Sequence, residues 1–185
     1  MRPSQPTLRA VSRALESNRD ALVSEWARWI MARVGATPTV RPQTLERQLG
    51  LLVDLLVETA GPLRRAAVEQ WLVASEGYGR TAAERGLAAG EVVEELQHLR
   101  ELLIRRLSEL IAALPARASM AAVLRMNRIL DAGLTHAVVG YTDALVETLF
   151  AQRGVPVSAS GPLEDEIAQR LTQAEAELEH LRRAR

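Results

Sequence analysis

The 185-residue chain contains no cysteine. That absence excludes disulfides, thiolate nucleophiles, iron–sulfur clusters and cysteine-based zinc sites. Lysine is missing as well, so all 23 basic side chains are arginine. They are spread along the chain, which reads as a coding bias and not as a basic patch. The 23 acidic residues balance them to a formal charge of +0, leaving no electrostatic footprint for a nucleic acid partner. No window approaches about 18 uninterrupted apolar residues, and the richest, "LGLLVDLLVETAG" at 49–61, is too short to span a bilayer. The opening "MRPSQPTLRA" lacks the apolar region of a secretory signal. The expectation is a cytoplasmic protein with no membrane partner.

Catalytic and metal signatures are equally scarce. No two of the three histidines stand at i, i+4, and there is no H-E-x-x-H, G-x-S-x-G or Walker loop. The sequence therefore nominates no catalytic residue and no metal site, and predicts a protein that is not an enzyme.

What is present is apolar residues at helical spacing almost throughout. A first helix is predicted over about 7–34, with Val11, Leu15, Leu22, Trp26, Trp29, Ile30 and Arg33 on one stripe, capped at Gly35 before Pro38. A second, over about 43–60, is apolar around most of its circumference and belongs at the centre of a bundle. After Gly61 and Pro62 a third runs to about Arg85, with Val68, Trp71, Leu72, Ser75 and Tyr78 or Gly79 inward. Gly86 and Gly90 bracket a turn into a fourth helix, about 88–114, carrying Val92, Leu96, Leu99, Leu103, Leu110 and Leu114. The fifth and longest, about 119–152, places Val123, Met126, Leu130, Ala137, Tyr141, Ala144 and Thr148 near a 3.5-residue repeat. Gly133, Ala137 and Gly140 in its middle would let another backbone come close.

The domain reading is a helical unit over 1–153, a linker "GVPVSASGP" over 154–162, and a charged helix over 163–185. In that last helix Ile167, Leu171, Ala174, Leu178 and Leu181 step 4-3-4-3, the spacing of a coiled coil, which predicts a dimer seam or signalling linker.

Six residues are candidates for a ligand site. His98, in "ELQHLREL", and His136, in "GLTHAVVGY", are the imidazoles available to an axial haem position. Against that, a histidine bordering the core is the commoner arrangement, with His98 bonded to Glu94. Trp71, Tyr78, Arg80 and Tyr141 would line a pocket for a planar ligand, although aromatics at helical spacing more often fill a core. No cofactor is assigned, with haem as the alternative.

The stretch "GYGRTAAERGLAAGEVVEELQHLREL" joins the third and fourth helices. Its glycines permit a tight reversal, Glu91 falls in the first turn of the new helix, and Arg80, Arg85, Glu91, Glu94 and Glu95 stand close enough for a charge network. The stretch also resembles the amino-terminal sensor domains of the RsbR family, which also precede bacterial histidine kinases. Gly79, Gly86, Leu87, Val92, Val93, Glu95, Leu99 and Arg100 fit that pattern. Tyr78 stands where the family often has histidine and Ala82 where it often has arginine. "LESNRDALVSEWARWI" is similar to the family's opening helix and "RILDAGLTHAVVGYTDAL" to its last, so the likeness covers about 10–150.

The resemblance implies an all-α, globin-like domain, usually without haem, that dimerises through its last helices. Such a homodimer would act as a sensory input module in signal transduction and stress response, passing a signal through a helical linker to a downstream signalling protein or output domain. A haem- or small-molecule-binding receptor, and a protein-interaction scaffold, are the alternatives.

Overall fold

The computed structural model describes residues 3–33, 41–61, 65–153 and 163–183, and among them every regular element is an α-helix. The long first helix expected from the apolar spacing divides at Asn18 into α1 (Gln5–Ser17) and α2 (Arg19–Arg33). Asn18 supplies the physical reason. Its side-chain amide donates to the Ala14 carbonyl at 2.8 Å and so competes with the backbone ladder. Val11, Leu15, Leu22, Trp26 and Ile30 still form one buried stripe, as predicted. Arg33 departs from it: the residue is exposed, its guanidinium 4.6 Å from the centre of the Trp29 ring and paired with Glu94. The stop expected at Gly35 and Pro38 lies outside the described residues.

Helix α3 (Pro42–Ala60) opens on a proline whose missing N–H costs nothing in a first turn. From Gln48 to Ala60 every residue but Asp54 is buried, so α3 is the central helix its composition predicts. Helix α4 (Arg65–Glu84) follows and ends in a Schellman turn. The Leu87 N–H bonds the Ala82 carbonyl at 3.1 Å and the Gly86 N–H bonds that of Ala83 at 2.9 Å. Gly86 sits at φ +78°, where a side chain is disfavoured. Helix α5 (Ala89–Ala113) then begins with the Glu91 carboxylate accepting from the Ala88 N–H at 2.7 Å. The charge faces the positive end of the helix dipole. Gly90, expected to bracket the turn, is already inside α5.

Pro115 separates α5 from α6 (Ala116–Gln152), the longest element at 37 residues. Ala121, Ala122, Met126, Leu130, Gly133, Ala137, Gly140, Tyr141 and Ala144 are its buried positions, whereas Thr148 is exposed, contrary to expectation. The small residues do what their size allows. A methyl group built on Gly79 would overlap the Ala137 carbonyl, and one on Gly140 the Glu76 carbonyl, so α4 and α6 meet backbone to backbone. A methyl on Gly133 would enter the Trp71 ring.

Helix α7 (Leu163–Arg183) follows the linker expected at 154–162, which lies outside the described residues. Its heptad-spaced face is turned inward: Ile167, Leu171 and Leu178 are buried in the same hydrophobic cluster as the rest of the chain, and Ala174 packs on it. That face rests on α3 and α4.

Candidate functional site

The corner between α4 and α5 holds the most deeply buried ion pair among the described residues. Arg85 makes a two-pronged pair with Glu95, at 3.0 Å and 2.7 Å, and both side chains are about one-twentieth exposed. Tyr78 donates its hydroxyl to the same carboxylate, and Trp26 donates its indole N–H to the Glu95 carbonyl at 2.9 Å. Burial pushes the Tyr78 phenol well above its usual range, with Glu95 adding to the effect. Burial opposes the Arg85 charge, but the neighbouring oxygens of Tyr78 and Glu95 outweigh it and the guanidinium pKa is raised. Both oxygens of the carboxylate are thus engaged. Removing one partner from such a pair typically costs about 3–5 kcal/mol. The corner is a structural lock, and the expected charge network narrows to it. Arg80 pairs with Glu147 on α6, Glu91 caps α5, and Glu94 meets Arg33.

The other sequence candidates do not converge. Trp71 donates to the Ile129 carbonyl at 2.9 Å, and Tyr141 to that of Leu87 at 2.7 Å, tethering the turn after Gly86 to α6. Both therefore have their polar atoms satisfied within the chain, as a core residue requires. His98 is stacked on Trp29 with ring centroids 4.2 Å apart. Its nearest carboxylate is Glu101 at 3.7 Å and not Glu94, because Glu94 is turned to Arg33. His136 is half-exposed beside Glu76 at 3.7 Å. Among the described residues no group of three or more histidine, aspartate or glutamate side chains is arranged to hold a metal ion.

The concave feature with the chemistry of a binding site lies elsewhere, beneath α7. A cleft of about 180 Å³ opens between α3, α4 and α7, with Leu51, Leu52, Ala74, Gly77, Ile167 and Leu171 among its walls and Arg170 and Glu177 at its rim. Two buried polar side chains, Gln48 and Thr81, line it. Gln48, 5% exposed, donates its amide nitrogen to the Thr81 hydroxyl at 3.1 Å, and Thr81 donates in turn to the Gly77 carbonyl at 3.0 Å. Because the Thr81 proton is committed to Gly77, the hydroxyl can only accept from Gln48, which fixes the amide orientation. The Gln48 carbonyl oxygen is left buried with no hydrogen-bond partner. A buried acceptor in that state costs about 1–3 kcal/mol.

A second groove flanks α7, but its charges answer one another. Arg19 and Arg182 both meet Asp54, at 2.8 Å and 3.2 Å, and Arg47 meets Glu175 at 2.6 Å. Gln48, Gly77 and Thr81 did not stand out in the sequence. The available signal was a glutamine on the inward face of a mostly apolar helix, four positions before Leu52. Neither histidine lines the cleft, nor do Trp71, Tyr78, Arg80 or Tyr141. Compared with protein-family models, with curated proteins and with solved structures, the chain matches none.

Proposed function

We propose that the chain is a non-enzymatic sensory or regulatory module that relays a signal through the docking of α7, as its resemblance to RsbR-type input domains implies. In this reading the bundle is a globin-like input unit, and α7 is the outgoing, coiled-coil-like helix that meets a downstream signalling protein or output domain. The carrying observation is the way α7 is held. It offers one apolar stripe, Ile167, Leu171 and Leu178, and is fastened at its edges by partly exposed ion pairs from Arg47 to Glu175 and from Arg182 to Asp54, with Arg182 also reaching the buried Glu58. Partly exposed pairs such as Arg47–Glu175 each contribute only about 0–1 kcal/mol, so the seat of α7 rests mainly on the burial of those three apolar side chains. An element with two states that differ in what they expose is what a relay needs.

Hydrogen exchange read peptide by peptide tests this. The amides of α7 should exchange through a local opening, about a hundredfold or more faster than those of α3, which open only with the whole fold. Arg47→Ala combined with Arg182→Ala should widen that gap. Exchange of α7 in step with α3 would end the relay reading.

A second reading, a small-molecule receptor, is favoured by the cleft and by nothing at either histidine.

A further inference from the structure

We infer that the cleft beneath α7 binds a small, neutral, largely apolar molecule carrying a single hydroxyl or N–H donor, which bonds the Gln48 carbonyl oxygen. The size follows from the volume: about 180 Å³ is comparable to an engineered apolar cavity of about 150 Å³ that accepts benzene. The polarity follows from the amide. Thr81 holds the Gln48 nitrogen, so the atom of this cleft-lining side chain left without a partner is an acceptor, and only a donor satisfies it. Neutrality follows from the lining, where the apolar side chains and the uncharged Thr81, Gln70 and Gln173 supply no countercharge, and where the one carboxylate, Glu177, accepts from Gln173 at 3.3 Å. Arg170 is engaged with Glu166 at 2.6 Å, so it does not bring an anion inward. Gly77 keeps the space open, since a methyl built on it meets no atom within 4 Å.

Three walls come from three helices, and α7 is one of them, so the occupied cleft exists only while α7 is docked. A molecule bound there favours docking by its differential affinity for that state. This consequence for α7 rests on the relay reading, whereas binding itself does not.

Phenol and anisole are matched probes, alike in ring and differing in the donor. Amide chemical-shift titration of the intact protein should show phenol binding, with shifts mapping to α3, α4 and α7, and anisole about tenfold weaker or more, because it leaves the Gln48 oxygen unpaired. Gly77→Leu places a side chain into the cleft from a position whose Cβ meets nothing within 4 Å, and should abolish both. Gln48→Met keeps the volume, loses the acceptor, and should remove the preference for phenol. Absence of phenol shifts, equal affinity for the two probes, or phenol binding that survives Gly77→Leu would each overturn the site. Hydrogen exchange of α7 with and without phenol separates the two ideas. Binding without slower α7 exchange keeps the site and refutes the relay; an α7 that opens locally in a protein that ignores phenol does the reverse.

Discussion

At His98, burial acts against charge. The imidazole lies on Trp29, and burial holds its pKa below the ordinary 6.5, with Arg105 pushing the same way and Glu101 and Glu25 pulling back. A histidine depressed in the folded state takes up protons more readily when unfolded, so stability is full above about 6.5 and declines as pH falls toward the folded pKa. The urea midpoint should therefore drop between about pH 7.5 and 5.5, and His98→Gln should lose part of that drop. Superimposable pH profiles for the two proteins would show that the histidine contributes nothing. The sequence spacing was enough to nominate His98 as a core-border residue, but not to find its partner. Glu94 and Glu101 are each within one turn of it, and only the position of Arg33 on α2 decides that Glu94 is taken. The Arg85–Glu95 pair was similarly visible as one option among several arginines and glutamates at the same corner. Which two become buried depends on Tyr78 and Trp26, which arrive from other turns of the chain.

Between helices, the α4–α6 contact is where the sequence was most informative. Gly133, Ala137 and Gly140 marked a place for close approach, and the structure puts α4 there. The partner glycine, Gly79, follows from the same logic of missing side chains. Because a methyl on Gly79 or Gly140 meets a backbone carbonyl, which cannot rotate aside, the helices themselves must separate. Gly79→Ala should lower stability by about 1–3 kcal/mol or more. Gly77→Ala, two residues earlier on the same helix, should raise it by about 0.5–1 kcal/mol, since it meets nothing and gains helix propensity. Urea denaturation of the two variants reads both signs, and a Gly79→Ala protein as stable as the parent would refute the backbone contact. The periodicity of α7 was legible in a different sense. A 4-3-4-3 stripe shows that one face is buried, but not what buries it, because a second copy and the chain's own α3 and α4 are equally apolar partners. The first helix was misjudged at Asn18 because helical periodicity persists across a one-residue break.

Among the described residues, the end of α6 presents an exposed apolar face. Every residue from Leu145 to Arg153 is exposed, so the last turns of α6 stand clear of the bundle. Leu145, Val146, Leu149 and Phe150 are 42–56% exposed there, on a helix face with i, i+4 spacing. With the heptad face of α7 already engaged at Ile167, Leu171 and Leu178, pairing with a second copy of the chain has this end of α6 as its natural surface. Contiguous exposed apolar groups of this kind mark interaction sites. The flanking acids do not oppose it, because Asp143 and Glu147 are turned to Arg80. In sedimentation velocity the protein should run as a dimer, and Leu145→Glu with Leu149→Glu should run as a folded monomer with an unchanged urea midpoint, since neither side chain belongs to the core. Aspartates at Leu171 and Leu178 would not serve instead, because they would bury charge and test folding rather than pairing. A parent protein that is monomeric at tens of micromolar would remove the dimer from the model of function. A dimer that survives the two glutamates would move the seam away from α6, and α7 would then have to leave its seat on α3 and α4 to provide one.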